Sequence, residues 1–337
     1  MRASTVLAGA WAVARAVRSP RSVSFANQTV VLSGGSRGLG LLIARRLVGE
    51  GAQVALLART AEDLDAAAAE LGPDALAVVC DVTDRAAVEA AVAQVVEHFG
   101  PPSVLLHDAG VISVGPEDHM DAGDYAESLG IHFWGAYHLT EAVRPHLPRD
   151  GSARIGYVSS IGGRVAIPHL GPYSVGKHAL VGYADAMRAE LAAEGIRVTT
   201  ITPGLMRTGS HPNAQVKGQH EKEFAWFAIG DAAPGLSMDG DRAARKIVDA
   251  LRHGDAALTL TLAAKLAAAA DGVAPGAVGV AMKAVSALLP APAGADGDRR
   301  QSGWESESAL APSLLTALAD QNVEPNNELR GHAPPGD

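Results

Sequence analysis

TVVLSGGSRGLGLLIARRLVGEG, residues 29–51, decides the fold. Its opening run of β-branched and apolar residues suits a strand buried on both faces. A glycine-rich turn follows directly, and LLIARRLVGEG then shows helical apolar spacing closed by glycine. Strand, glycine turn and helix in that order give a backbone the setting in which it cradles a phosphate. Gly34 permits the tight turn. Gly38 and Gly40 remove side chains where the chain approaches a pyrophosphate and where helix meets sheet. The helix N-terminus then faces the anion with free N–H groups and its positive dipole end, so the stretch predicts a dinucleotide site.

Working outward, QVALLA reads as a second strand ending at Ala58, 18 residues beyond Gly40, where NAD-binding folds usually carry an acid for the ribose 2′-hydroxyl. Here the residues are Ala58, Arg59 and Thr60, with no carboxylate before Glu62. Arg59, with Arg37 inside the glycine loop, could clasp a 2′-phosphate in forked geometry, which favours NADP(H) over NAD(H). The competing reading leaves one of these arginines merely solvated. The next strand, ALAVVC, delivers Asp81 at its carboxyl end, where parallel sheets bind ligands. Asp81 either accepts from an adenine amine or caps the helix beginning near Asp84. Helices over 62–71 and 85–99, the strand VLLH, a long helical region over 121–147, and the strands ARIGYVSS and RVTTITPG continue the alternation. This predicts an α/β fold with a doubly wound parallel sheet over 27–261.

SSIGGRVAIPHLGPYSVGK, residues 159–177, is the expected chemical centre. Tyr173 and Lys177 are four residues apart on a helix entered through Pro172, so their side chains stack on one face. A cation beside a phenol favours the phenolate and makes the group a usable proton donor or acceptor. Ser160 adds a hydroxyl to orient an oxygen. The spacing alone also fits an exposed tyrosine and lysine.

The chain has 337 residues, 47% of them apolar, enough for a large buried core. A net charge of −9 argues against a nucleic-acid surface. One cysteine, Cys80, can form no internal disulfide and fits a reducing, cytoplasmic setting best. The first 26 residues carry arginines and no acids, and their apolar run from Val6 to Val17 is broken by Arg15. That run falls short of the roughly 20 apolar residues that span a bilayer. A secretory signal, an Arg-rich presequence, an interfacial helix and a frayed tail all remain open for it.

The segment 209–236, within a lid expected over about 205–236, contains FAWF, and Phe224, Trp226 and Phe227 suggest an apolar inner surface for a hydrophobic alcohol or ketone. Ordinary packing against the core competes with that reading. His211, His220 and Glu221 lack metal-ligand spacing, so no metal is expected. A helix over 239–252 and the strand AALTLT close the domain. Residues 262–289 are alanine-rich with only Lys265, Asp271 and Lys283 charged, and should form a helical C-terminal extension of two helices. Packing or a homo-oligomer contact is favoured for them over a membrane surface. From 290 to 337 the composition reads as disorder-like, with SLLTALAD as a short docking helix.

Taken together, residues 29–208 resemble the classical short-chain dehydrogenases/reductases, with weaker agreement to about Leu260. The matching motifs are SGGSRGLG, Asp81 in CDV, HDAG for the family's NNAG, SSIGG, YSVGK, and PGLMRT for PGxxxT. Ser160 precedes Tyr173 by 13 residues, the family's usual separation, which selects it over Ser159. The resemblance implies a Rossmann-like fold in which Tyr173 protonates the carbonyl oxygen. Ser160 would hydrogen-bond that oxygen, and Lys177 would hold the nicotinamide ribose and lower the phenol's pKa. The implied cofactor contacts are Gly34, Ser36, Arg37, Gly38, Leu39, Gly40, Asp81, Val82, Ala109, Gly110, Tyr173, Lys177, Pro203, Gly204 and Thr208, beside Arg59. Two departures stand out. His132 in IHFWG replaces an asparagine that supports a proton path, and an imidazole with pKa near 6.5 would add a pH dependence. His107 and Asp108 replace the asparagines of NNAG, and a buried Asp108 must find donors. The expected function is an NADP(H)-dependent carbonyl reductase or alcohol dehydrogenase. A cofactor-binding regulatory protein with impaired chemistry and a reductase of lipid-derived ketones in peripheral membrane contact are the alternatives.

Overall fold

The structure, a computed structural model, describes residues 22–328, so readings of residues 1–21 lie outside the described residues. Seven parallel strands form one sheet: β1 (Thr29–Ser33), β2 (Gln53–Ala58), β3 (Ala75–Val79), β4 (Val104–His107), β5 (Arg154–Val158), β6 (Arg197–Thr202) and β7 (Ala257–Thr259). Their spatial order is β7-β6-β5-β4-β1-β2-β3. The order reverses between β1 and β4, which opens a crevice at the carboxyl ends of those strands, the ligand position of such sheets.

Both faces of the sheet are covered, which is why its strands read as apolar runs rather than alternating ones. Leu106 of β4 and Val30 and Leu32 of β1 enter one core, with α1 (Gly38–Gly49), α2 (Ala61–Leu71) and, further along the chain, the helix Gly240–His253. Leu105 and Val31, one residue out of phase, enter the other core, with α3 (Arg85–Phe99). Truncating one such leucine to alanine costs about 2–5 kcal/mol. The first core reaches further back than residue 27. Phe25 is fully buried and the Val23 N–H donates to the Arg252 carbonyl at 3.1 Å.

Caps set the helix starts. Asp84 accepts from the Ala86 and Ala87 N–H groups at the start of α3, and Asp121 and Asp124 form a capping box on α4 (Ala122–Leu129). The region 121–147 is helical nearly throughout, as expected, but in successive pieces. After α4 it widens into a π-helical turn, Gly130–Trp134, and resumes as α5 (Gly135–Val143). A long helix follows β5, α6 (Gly171–Glu190). Then come α7 (His220–Ala232), α8 (Gly240–His253), α9 (Leu262–Val273), α10 (Pro275–Ser286) and the short α11 (Ala317–Asp320). Leu262, Leu266, Val273 and Val280 of α9 and α10 stand exposed. Among the described residues no helix is long and apolar enough to cross a membrane.

Over residues 290–328 the structure overturns the disorder-like reading, the rest of which, 329–337, lies outside the described residues. Gln301–Ser302 pairs antiparallel with Gln215–Val216, which pairs in turn with Ser113–Val114. Ala311, Ala319, Ser306 and Thr316 are buried; the expected docking helix forms over Ala317–Asp320 and buries Ala319, while Leu314 and Leu315 ahead of it point outward. Small side chains and backbone pairing hold this segment, which is why its low hydrophobicity misled the sequence reading.

Candidate active site at the carboxyl edge of the sheet

The glycine loop after β1 is pressed against the HDAG loop after β4. Gly34 has φ of 76°, and a Cβ there would fall 2.7 Å from the Ala109 nitrogen. A Cβ at Gly40 would collide with the Gly34 carbonyl. Ser36 and Leu39 are buried beneath the loop. Arg37 lies with Nη1 4.0 Å from Asp63 and Nε 3.6 Å from Glu328, and among the described residues Nη1 is buried with no hydrogen-bond partner. Arg59 is exposed and makes no ion pair among the described residues. An unsatisfied guanidinium nitrogen beside a glycine cradle at a helix N-terminus fits an anionic dinucleotide.

At Asp81 the capping alternative fails, because Asp84 supplies the cap. Asp81 Oδ1 instead accepts from the Thr83 N–H and Oγ1, both at 2.8 Å, and fixes the turn ahead of α3. Val82 is buried behind it. Across the crevice, the Pro203 carbonyl accepts from the Ile161 N–H at 2.7 Å, Gly204 N–H bonds the Leu260 carbonyl at 3.2 Å, and the Thr208 hydroxyl lies 3.0 Å from that of Ser210. Ala109 and Gly110 line the crevice floor between Gly34 and Lys177, since a Cβ at Gly110 would lie 3.4 Å from Lys177 Nζ.

The structure brings Ser160, Tyr173 and Lys177 together. Ser160 lies two residues past β5 and caps the 3-10 turn Ile161–Gly163, its Oγ accepting from the Gly162 N–H at 3.1 Å. A Cβ at Gly162 would come within 3.2 Å of the Tyr173 ring, so the SSIGG glycine clears the phenol. Lys177 sits one helical turn beyond Tyr173, with Nζ 5.8 Å from the ring centroid and donating to the Val158 carbonyl at 2.9 Å. Burial pushes the Lys177 ammonium down to about 8, with Asp108 opposing. The Tyr173 phenol is not lowered as expected. Burial pushes it up to about 12, the Ser160 hydroxyl pulls the other way, and Asp231 and Asp108 add to the rise. Tyr173 is only partly exposed, and the dense shell around it makes desolvation the largest influence.

His132 lies in the π-helical turn, edge-on to Tyr173 with centroids 5.6 Å apart. Its Nε2 accepts from the Val111 N–H at 3.3 Å, and Nδ1 lies 3.1 Å from the Ser128 Oγ. The Ser128 hydroxyl donates to the Pro172 carbonyl at 2.7 Å, so Nδ1–H donates to Ser128 and the tautomer is set. Burial, then Lys177 and His107, hold the imidazole well below 6.5. A ring held in that direction favours the neutral form near neutrality, which argues against the pH dependence expected of an ordinary imidazole. His107 is neutral too, pushed down to about 3 by burial, with Nδ1 2.8 Å from the Ser33 Oγ and Nε2 buried without a hydrogen-bond partner among the described residues. Asp108 finds no side-chain hydrogen-bond donor among the described residues; burial raises it to about 7, against the pull of Lys177. HDAG thus keeps its loop with a neutral ring and an acid that holds its proton up to near-neutral pH.

The wall facing Tyr173 is apolar. Ile112, Ile167 and Trp226 pack with Val114, Leu170, Ala214 and Phe227. Of the FAWF aromatics, Phe224 turns away, stacks on His211 at 6.0 Å and packs with Ala311 of the C-terminal segment. Two groups escaped the sequence reading. Asp231, in the last turn of α7, is buried, and burial alone raises it to about 7. It falls four residues after Phe227, so the helical face already known to carry Phe227 was the available signal. Glu223 is fully buried and bonds His169 Nδ1 at 2.9 Å and Trp226 Nε1 at 2.7 Å, which fixes Trp226 in the wall. His211 and His220 bond Asp320 at 2.9 Å and the Arg299 carbonyl at 2.6 Å, so both serve the C-terminal segment. Among the described residues no group of three His, Cys, Asp or Glu could hold a metal.

Residues 28–217 match the family described as short chain dehydrogenase. The chain is 31% identical over 252 residues to SadH of Mycobacterium tuberculosis, covering 72% of this chain and 89% of that protein. It is 32% identical over 186 residues to the 3-oxoacyl-[acyl-carrier-protein] reductase MabA of Mycobacterium avium, covering 55% and 69%. A solved Serratia marcescens short-chain dehydrogenase/reductase, a double mutant, superposes with a TM-score of 0.61 at 28% identity, covering 71% of this chain and 98% of that one.

Proposed function

The chain belongs to the short chain dehydrogenase family, and on that premise we propose that it is an NADP(H)-dependent oxidoreductase interconverting a carbonyl and a secondary alcohol on a hydrophobic substrate. One observation carries the proposal: Tyr173, hydrogen-bonded with Ser160, packs on the apolar cluster that includes Ile112, Ile167 and Trp226, at the same sheet edge as the glycine loop. A bound nicotinamide dinucleotide would supply or accept the hydride. Ser160 orients the substrate oxygen and Tyr173 exchanges a proton with it, so two donors already face the charge that grows there. Lys177, anchored on the Val158 carbonyl, places a cation beneath the phenol. The phenol, high in the resting site, stays protonated and so acts as an acid toward a developing alkoxide. Arg37, with its unsatisfied Nη1, and exposed Arg59 support a 2′-phosphate and hence NADP(H). A cleft of about 560 Å³ runs from Ile167 and His169 to Ser286–Pro292 and offers the substrate a route to the wall. A ketone substrate is consistent with MabA, whose name records a 3-oxoacyl reductase.

The test is NADPH oxidation against small, aromatic, long-chain and steroid-like ketones, with Tyr173→Phe as control. Turnover of an apolar ketone that disappears in the variant supports the reading. NADPH binding without turnover of any ketone would favour the regulatory alternative instead.

A further inference from the structure

The end of the described chain lies across the mouth of the glycine loop. The Gly38 N–H, at the N-terminus of α1, donates to the Asn326 carbonyl at 2.8 Å. The Asn327 side-chain amide donates to the Ser36 and Asp63 carbonyls at 3.0 and 3.1 Å. A Cβ at Gly38 would meet the Glu328 carboxylate at 2.5 Å. On the opposite lip, Asn213 donates to Glu328 at 2.5 Å and the Asn326 amide donates to the Thr208 carbonyl at 2.9 Å. From the side, Arg45 reaches Asn326 Oδ1 at 3.0 Å and the Pro325 carbonyl at 2.5 Å. One short segment therefore engages both lips of the crevice. It places a carbonyl on the helix N-terminal N–H and a carboxylate beside Arg37, the two features that suit a dinucleotide phosphate.

We infer that residues 322–328 form an autoinhibitory strap whose Asn326 carbonyl and Glu328 carboxylate stand in for phosphate oxygens, so that strap and dinucleotide exclude each other. This rests on the dinucleotide reading of the glycine loop proposed above.

The strap is built to release. Its hold is almost wholly polar, and Glu328 is a buried carboxylate whose cation, Arg37, stands 3.6 Å away with Nη1 unsatisfied. Asp63 and Asp108 put further acidic groups near the same carboxylate, so the seat is electrostatically imperfect. The chain just before it is anchored differently, through Ala311 and Ala319 in the core and through the Asp320 bond to His211. The anchored part can stay in place while the polar end swings away. A protein whose site is open only part of the time binds with an apparent affinity reduced by that fraction.

The experiment compares NADPH and NADH affinity, by nucleotide fluorescence, in the full chain, in a chain ending at Gln321, and in the full chain carrying Asn327→Ala with Glu328→Ala. Deuterium exchange is followed in the full chain with and without nucleotide. The expected result is a roughly tenfold or greater tightening in both altered proteins, corresponding to a site open in about one molecule in ten. Nucleotide should also speed exchange at residues 322–328 of the full chain while slowing it at 34–40. Equal or weaker binding by both altered proteins, or a strap that gains protection when nucleotide binds, overturns the proposal. Should the shortened chain misfold, the double substitution and the exchange data decide. Binding by no form of the protein would overturn the dinucleotide reading and the strap together, which separates that failure from failure of the strap alone.

Discussion

The two sides of one crevice are built on different terms. At the Tyr173 side, the groups are fixed by the sheet and by the turns and helices packed on it: Lys177 on the Val158 carbonyl, Ser160 under the Gly162 N–H, and His132 between Val111 and Ser128. At the glycine-loop side, the residues suited to a phosphate face a carbonyl and a carboxylate from a segment some 290 residues further along the chain. One side is preorganised by local contacts, and the other is set by a remote and polar one. Chemistry tolerates no slack in the position of a proton donor, whereas binding can be gated by a segment that comes and goes.

The comparison breaks most sharply at Tyr173. Tyr173→Phe removes the proton donor and leaves its ring packing, so turnover should fall by about 10²–10⁴-fold while NADPH affinity, measured by fluorescence, stays within a factor of two or so. Residual turnover above a tenth of the parent rate would move the acid elsewhere.

The next effect is on stability. Asp231 is held near 7 by burial, against the usual carboxylate value of about 4 in the unfolded chain. Between those values the folded state holds a proton that the unfolded state has released. Stability therefore falls as pH rises from about 4 to about 7, and changes no further above that. Asp231→Asn removes the loss, so relative to the parent the variant should gain up to about 4 kcal/mol between pH 4 and pH 8. Urea unfolding at the two pH values measures it, and an equal offset at both would show that the carboxyl ionises freely.

The legible part of the molecule follows the same divide. The glycine turn, the parallel sheet and the juxtaposition of Ser160, Tyr173 and Lys177 were readable because each rests on short-range spacing: Gly34 against the next loop, Tyr173 and Lys177 one turn apart. Asp81 was half-read, since Asp84 takes the cap it was offered. The protonation states at the site were misread, because desolvation depends on the whole shell of neighbours. His132, Asp108 and Tyr173 are all moved by burial before any named partner acts. Apart from the short helix within SLLTALAD, the packed tail was missed for a related reason. Ala311 packs against α7 and Asn326 bonds the glycine loop, and no periodicity in residues 290–328 announces such contacts.

A smaller effect sharpens the anion side. Arg37 faces both the strap and the expected 2′-phosphate, so Arg37→Ala is informative only in the chain ending at Gln321, where Glu328 is absent. There it should weaken NADPH by about 10–100-fold, the worth of one or two charge-assisted hydrogen bonds, and NADH far less. Arg59→Ala in the same chain should add to this discrimination. Equal losses for the two nucleotides would place both arginines away from the 2′ position.

The smallest effect returns to the Tyr173 side. His132 is neutral, and its Nε2 does no more than accept from the Val111 N–H, a role that an amide oxygen can fill. His132→Asn should therefore keep kcat within about tenfold, the scale of a single neutral hydrogen bond, and should leave the pH–rate profile between pH 6 and 8 unchanged in shape. A charged imidazole relay would give the parent a limb near 6.5 that the asparagine variant lacks. Such a limb would mean that the ring gains a proton during turnover that it does not hold at rest, and that the Tyr173 side is less rigid than its hydrogen bonds imply.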